Sequence, residues 1–376
     1  MNTVGERLDK FKLNPPRVLA LGFLALILIG AILLSLPIAS KKGESIGVID
    51  ALFTATSIVC VTGLSLVNMA EHWSLFGQVV ILILVQIGGL GFMTLATIVA
   101  LLMGKRITLK ERLMIKEELN QETISGMVKL IRYIILSTFI IEALGAIILS
   151  TVFIPQYGLT KGIWFSVFHS ISAFCNAGID ILGNNMIPYV GNTIINITIA
   201  LLVIVGGLGF SVYIDILNQK SFKKLHLHSK LVISISLILI ISGMLIFYVI
   251  ERDNPDTLLQ LSQREKILSS FFQSVNTRSA GFYSVDINSL KDTTAFFMTI
   301  LMFIGGSPGS TAGGIKTTTF GIVRLTRGIT PNLSTIGKII ITVTIGMLGP
   351  LTMAFAFARK NKQYSYRYSE GNIIVG

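Results

Sequence analysis

The stretch Phe53-Thr-Ala-Thr-Ser-Ile-Val-Cys-Val-Thr-Gly63-Leu64 is a largely apolar run that stops at a glycine. Crossing a bilayer as helix takes about 20 apolar residues, so this run enters a membrane without crossing it. Its end is polar, and Gly63 offers a turn that sends the chain back. The pattern returns as Phe168-His-Ser-Ile-Ser-Ala-Phe-Cys-Asn-Ala-Gly178-Ile179. It returns again, one residue shorter, as Phe272-Gln-Ser-Val-Asn-Thr-Arg-Ser-Ala-Gly281-Phe282. Each copy lies between two longer apolar runs. Irregular backbone at membrane depth survives only where it lines a water-filled path or is buried in protein. The three copies therefore predict an all-α polytopic membrane protein, built of tandem span, re-entrant pore loop, span repeats around one path.

Composition agrees. The chain has 376 residues, 52% hydrophobic and 13% charged, where soluble domains carry roughly 25% charged residues. An ordinary soluble enzyme, a disordered tail and a collagen-like fibre are excluded. Apolar spans are predicted at 17–39, 74–103, 128–154, 192–217, 230–250, 293–305 and 338–357. The first is too long for a signal-peptide core and reads as a retained span. The net charge of +12 follows from basic cytosolic loops and does not call for nucleic acid, since no basic and aromatic residues interleave as they do in single-strand binders. Arg7, Lys10, Lys12 and Arg17 mark one inside face. Lys105, Arg106, Lys110, Arg112 and Lys116 mark another, and Lys220, Lys223, Lys224 and Lys230 a third. Two cysteines exclude a disulfide scaffold.

A second set of glycines follows each copy: Gly88-Gly-Leu-Gly-Phe92, Gly206-Gly-Leu-Gly-Phe210 and Gly305-Gly-Ser-Pro-Gly309, with Gly346-Met-Leu-Gly-Pro350 in the last span. The first three are spaced by 118 and 99 residues, but from Gly305 to Gly346 is only 41. A fourth unit is thus about 60 residues short, the length of one span plus one re-entrant loop. Charge says the same. The sixth span exits inside, at Lys316, Arg324 and Arg327. The seventh should then end outside, yet it ends in Arg359, Lys360, Lys362 and Arg367. Either one crossing is missing from the fourth unit, or the last segment does not span.

Re-entrant loops arranged around one axis bring their backbone carbonyls together, and rings of carbonyls replace the hydration shell of potassium. Gly63, Gly178 and Gly281 reach positive φ without a Cβ clash, which turns successive carbonyls inward. Val61 and Thr62, Asn176 and Ala177, and Ser279 and Ala280 precede them and supply further carbonyls.

On these three segments, the repeated Gly-Gly-Leu-Gly and Gly305-Gly-Ser-Pro-Gly-Ser-Thr-Ala-Gly-Gly-Ile-Lys-Thr317, the chain resembles the membrane subunit of Ktr potassium-uptake systems, in the Trk/Ktr/HKT superfamily. The first unit starts at Arg17 with no extra spans before it, which favours the Ktr branch. The resemblance implies four repeats around one potassium pore in a bacterial plasma membrane, with sodium as a possible companion ion. It also implies a homodimer and a cytosolic nucleotide-binding regulatory ring, which would carry the nucleotide; no cofactor is expected on this chain. The expected organisation is a cytosolic N-terminus at 1–16, repeats at 17–110, 111–225 and 226–327, and a remnant of the fourth repeat with the tail at 328–376. Where the family has a fourth filter glycine, this chain runs Arg327-Gly-Ile-Thr-Pro-Asn-Leu straight into the last span, and where the family often has an arginine it has Met347.

By the same resemblance, residues 305–317 are an intramembrane gating loop, with Gly305, Gly306, Ser307, Gly309, Ser310, Gly313, Gly314 and Lys316 as its working residues. Glycine and serine make it mobile, and Lys316 would repel cations when the loop blocks the path. The loop also comes near a phosphate-binding motif, but Ile315 intrudes before Lys316-Thr317 and the loop follows a membrane span where a strand is required. Glu142, mid-span, is a functional candidate as any membrane-depth carboxylate is; a buried structural hydrogen bond is the competing reading. Arg278, where the other copies have Cys60 and Cys175, would be neutralised by a carboxylate such as Asp286 or Glu142. His169 corresponds to Thr54 and Gln273, a polar position of the pore helix, and His226 and His228 read as a solvated membrane edge. Clustered His, Asp or Glu at membrane depth is lacking, so a membrane enzyme is not expected. Two functions remain open: a potassium-conducting pore subunit, and a non-conducting shortened subunit that assembles with partners.

Overall fold

The structure, a computed structural model, describes residues 15–91, 94, 127–278 and 280–319. The chain divides into two compact units, Met1–Thr318 and Thr319–Gly376, and the fold described is that of the first. Residues 1–14, the basic loop at 105–116, Arg324, Arg327, the apolar run 338–357 and the tail at 328–376 lie outside the described residues, as does Ser279.

Helices carry the fold. They are α1 (Pro15–Ser35), α2 (Val48–Val59), α3 (Leu75–Leu90), α4 (Met127–Tyr157), α5 (Leu159–Phe174), α6 (Thr193–Leu208), α7 (Phe210–Gln219), α8 (Leu227–Glu251), α9 (Gln263–Thr277) and α10 (Asp292–Phe303). Three of them, α1, α4 and α8, are long and apolar enough to cross a membrane, and α6 with α7 forms a broken span. The half-helices α2, α5 and α9 have 12, 16 and 15 residues. A capping box at Ser262 and Glu265 starts α9, and Gly47 and Gly158 precede α2 and α5.

The apolar runs 74–103 and 192–217, continuous spans by sequence, both break at a glycine. Helices α3 and α6 have 16 residues each, about 24 Å at 1.5 Å per residue, short of the roughly 30 Å of hydrocarbon. Gly91 and Gly209 then take φ of 87° and 92°, and α7 leaves α6 at 93°. At α6 residues 305–317 take up part of what the break releases. Phe210 N–H donates to the Gly309 carbonyl, and the Gly206 and Gly207 carbonyls accept from Thr311 and Ser307. The run 293–305 likewise stops being helix at Phe303.

Each half-helix and its return segment enter and leave on the same side, because the two flanking spans are stapled to each other. In the first unit Ser74, the N-cap of α3, donates through N–H to Ala39 O (2.9 Å) and through Oγ to Ile38 O (2.6 Å), just past the end of α1. In the second, Tyr189 before α6 bonds Gln156 Oε1 and Tyr157 Oη of α4 at 2.7 and 2.8 Å. In the third, Glu251 ends α8 and is fully buried. It accepts Lys291 N–H at the start of α10 (3.0 Å), Asn254 Nδ2 (2.6 Å), Thr257 Oγ1 (2.7 Å) and the Thr294 hydroxyl.

The first spans meet the half-helices through glycine. A Cβ on Gly145 of α4 would stand 2.5 Å from Ser170 Oγ of α5, and one on Gly243 of α8 would strike Ser274 Oγ of α9. Ser170 donates to Glu142 O and Ser274 to Ile240 O, in each case three residues before the glycine. Gly30 is the counterpart in α1, where Ala55 replaces the serine. Between units, α3 packs on α5 and α6 on α9, so every second span leans on the next half-helix. One apolar core containing Phe168, Phe174, Phe272 and Phe282 runs through all three units.

Two consequences are measurable. Glu251→Ala strands four donors, and the detergent-solubilised protein is expected to lose about 3 kcal/mol in thermal unfolding, with Glu251→Gln losing less. Gly145→Val is expected to lose about 2 kcal/mol by pushing α4 off α5, whereas Thr151→Val on the exposed face of α4 leaves the melting temperature unchanged.

Candidate functional site

The first two half-helices end in the same way. Cys60, Val61 and Thr62 donate to Thr56, Ile58 and Ser57 carbonyls at 2.9, 3.0 and 2.7 Å; Cys175, Asn176 and Ala177 donate to Ile171, Ala173 and Ser172 at 2.9, 3.1 and 2.8 Å. The reversal needs a left-handed residue, and Val61 and Asn176 provide it at φ of 53° and 56°. Asparagine accepts this conformation readily; a β-branched valine there is strained. Helix-end carbonyls are thereby satisfied, and the next ones are released.

A serine closes each segment from the other end. Ser57 Oγ donates to Leu64 O at 2.7 Å, and Ser172 Oγ to Ile179 O at 2.9 Å, each from six residues before the glycine to the residue after it. Between these fixed points lie Val61, Thr62 and Gly63, and Asn176, Ala177 and Gly178. The third copy, being one residue shorter, turns differently: Ala280 and Gly281 N–H both donate to Asn276 O, at 3.0 and 3.2 Å.

The three segments converge. Gly63, Gly178 and Gly281 have φ of 76°, 63° and 86°. A Cβ on Gly63 would run into the Ala177 carbonyl, and one on Gly178 into the Ala280 carbonyl and the Gly281 Cα. No described residue donates a hydrogen bond to the carbonyls of Val61, Thr62, Gly63, Asn176, Ala177, Gly178, Ala280 or Gly281. Eight carbonyls on three segments that approach one another are thus without a donor among the described residues. The predicted filter residues other than Ser279 are thus brought together.

Outside the filter, Asp180 anchors the returning chain. It accepts Leu182, Gly183 and Asn185 N–H and His169 Nε2 at 2.8 to 2.9 Å. Burial works against its charge, yet the His169 ring and the Leu182 and Gly183 N–H groups outweigh it and hold the carboxyl below the usual aspartate range. His169 is thus a pore-helix residue with a fixed partner, its Nδ1 on Phe165 O at 2.7 Å. Asn185 Oδ1 accepts Tyr283 N–H at 3.0 Å, which ties the second outer loop to the third filter segment.

On the other side lies the loop at 305–317. It is folded, not loose: Gly305 and Gly306 N–H donate to Ile315 and Gly313 carbonyls, Ile315 N–H to Phe303 O, and Thr317 N–H to Gly306 O, at 3.0 to 3.2 Å. Its glycines serve close packing, with Gly306 against Ala312 and Gly305 against Gly313. Ser307 Oγ meets Thr317 Oγ1 at 3.0 Å, Ser310 Oγ donates to Ser307 O at 2.6 Å, and Lys316 Nζ donates to Ala312 O at 2.8 Å. Gly309 and Gly314 turn at φ of 63° and 79°. The loop touches two filter copies. Thr311 Oγ1 donates to Phe174 O (2.8 Å) and accepts Asn176 Nδ2 (2.9 Å).

The third copy is tied to the loop by Arg278, and here the expectation is corrected. Arg278 does not pair with a carboxylate; it donates to Gly305 O at 3.1 Å and Ser236 O at 3.5 Å. Asp286 caps the following turn at Asn288. Glu142 is held by Gln86 Nε2 at 3.0 and 3.2 Å. The guanidinium rests instead on a loop carbonyl and on a carbonyl in the middle of α8. Cys60 and Cys175 are both free thiols. Reading the sequence missed Ser57, Ser172, Asp180 and Thr311. The two serines carry a signal, standing six residues before the glycine in both copies; Thr311 carries none.

The chain is similar to known proteins. The model of the TrkH family, described as a cation transport protein, matches residues 18–328. Potassium/sodium uptake protein NtpJ of Enterococcus hirae is 37% identical over 451 aligned positions that cover 100% of both chains. Those positions exceed the 376 residues of this chain by 75, so the relative has at least that many residues facing gaps here. Ktr system potassium uptake protein B of Bacillus subtilis is 39% identical over 436 positions, covering 97% of each. Among solved structures, the potassium transporter TrkH of Vibrio parahaemolyticus superposes with a TM-score of 0.57 at 20% identity, over 86% of this chain and 65% of that one. The chain is a multi-pass membrane protein of the TrkH family of cation transport proteins.

Proposed function

We propose that this chain is the pore-forming subunit of a bacterial potassium-uptake system, which strips the ion of water on the free carbonyls of the converging segments. The observation that carries this reading is the run of eight unpaired carbonyls at Gly63, Gly178, Gly281 and their neighbours. Carbonyl dipoles substitute for hydration water around potassium, and the membrane potential draws the cation inward, at about 2.3 kcal/mol per charge per 100 mV. The names of the relatives, potassium uptake for the Bacillus protein and potassium/sodium uptake for the Enterococcus protein, support the ion and admit sodium beside it. Residues 305–317, lying against the filter's inner end, serve as the gate, with Lys316 and the glycines as its working parts.

The word system in the name of the Bacillus relative supports a partner. On the family resemblance that partner is a cytosolic nucleotide-binding ring, and the membrane subunit pairs as a homodimer. The fourth quarter of the filter would come from a partner copy.

The test is potassium uptake in cells stripped of their own uptake systems, expressing this chain with a Ktr-type regulatory subunit. Selective uptake is expected, and Gly63→Asp abolishes it at equal membrane expression, because a Cβ there meets the Ala177 carbonyl. Well-expressed protein without uptake would instead leave the chain a non-conducting assembly partner. In the same cells Gly178→Ser is expected to cut the preference for potassium over sodium by about tenfold, a loss of ~1.4 kcal/mol.

A further inference from the structure

The side chain of Asn176 distinguishes the second filter copy from the first. At the equivalent place Val61 has the same left-handed backbone but no polar group. Asn176 is 1% exposed and directs its amide away from the path, onto Thr311 Oγ1 of the intramembrane loop. The Thr311 hydroxyl is used twice, accepting from Asn176 Nδ2 and donating to Phe174 O, the last carbonyl of α5. Thr311 N–H is fixed in turn by the Gly206 carbonyl. A single buried hydroxyl therefore joins the end of a pore helix, a filter residue in a left-handed conformation, and the broken end of α6.

We propose that Thr311 is a positioning residue for ion selectivity: from the loop, it holds Asn176 in the conformation that aims the second segment's carbonyls into the path. The proposal rests on the potassium-pore reading and extends it, since it gives the loop a part in choosing the ion as well as in admitting it. Selectivity by carbonyls depends on how many oxygens reach the ion and where they stand. Asn176 contributes one oxygen itself and leads into Ala177 and Gly178. With Thr311 removed, Asn176 Nδ2 has no acceptor, and its Oδ1 already lacks a donor in the protein. The left-handed residue then loses its side-chain anchor to the loop, and only Ser172 still holds the segment, at Ile179. The geometry also predicts the direction of coupling: withdrawing the loop releases Asn176 in the second segment and Arg278 beside the third, while the first, which has no side-chain bond to the loop among the described residues, stays as it is.

The experiment compares wild type with Thr311→Val, Thr311→Ala and Thr311→Ser, purified as full chains. Two properties are read: potassium against sodium uptake into phosphatidylethanolamine–phosphatidylglycerol vesicles, and melting temperature in detergent across potassium chloride and sodium chloride. Wild type is expected to prefer potassium in both. Thr311→Val lowers the uptake preference by about tenfold, the value of one to two buried hydrogen bonds, and erases the difference in melting between the two salts. Thr311→Ser keeps the wild-type preference, because it retains the hydroxyl. Should the valine variant fail to reach the membrane, the alanine variant carries the same expectation without the added methyl. Unchanged ion preference in the valine and alanine variants, whatever their rates, overturns the proposal, and so does a serine variant as impaired as valine. A wild-type protein indifferent to the two ions in both readouts overturns the pore reading itself and this proposal with it.

Discussion

Backbone amides and carbonyls that leave a helix inside hydrocarbon can bond only to protein, to water in a cavity, or to an ion. That constraint governs this chain, which leaves the helix at membrane depth at the end of α2, α5 and α9, at Gly209, and through residues 305–317. Nearly every group so released is recaptured close by. The turns after α2 and α5 satisfy the helix ends, Ser57 and Ser172 take the carbonyl past the glycine, and the intramembrane loop occupies the carbonyls freed where α6 breaks. Among the described residues, eight carbonyls on the three converging segments are left without a donor.

The same task is solved by different side chains in each unit. The outer ends of the flanking spans are joined by Ser74 in the first, Tyr189 in the second and Glu251 in the third. The contact between first span and half-helix is apolar at Gly30 and Ala55, but a serine-to-carbonyl bond at Gly145 and Gly243. What repeats is the demand of geometry, a small residue where two helices close up and a donor where a carbonyl is left over. Because the chemistry varies, the three segments are not equivalent, and only the second and third are tied by side chains to the loop beneath.

Much of this was legible in the residue pattern. The half-helices and the turn glycines follow from length and polarity, since a bilayer imposes those rules on any chain. The breaks at Gly91 and Gly209 were not legible, because Gly-Gly-Leu-Gly inside an apolar run reads equally well as a packing stripe. Thr311 was hidden for another reason: its partners Asn176 and Phe174 are more than 130 residues away, and no local spacing encodes such a contact. Arg278 misled in a third way. Charge logic demands a carboxylate, yet a carbonyl within α8 and one in a folded loop accept from the guanidinium.

The leaning of each second span on the next half-helix has a consequence for biogenesis. Gly63 acquires its neighbour only when Gly178 is in place, and Gly178 only when Gly281 is. A ribosome emits these units in order, so a partly inserted chain holds isolated turns and no continuous row of oxygens. The convergence of the three segments therefore arises late, when the third unit folds against α6.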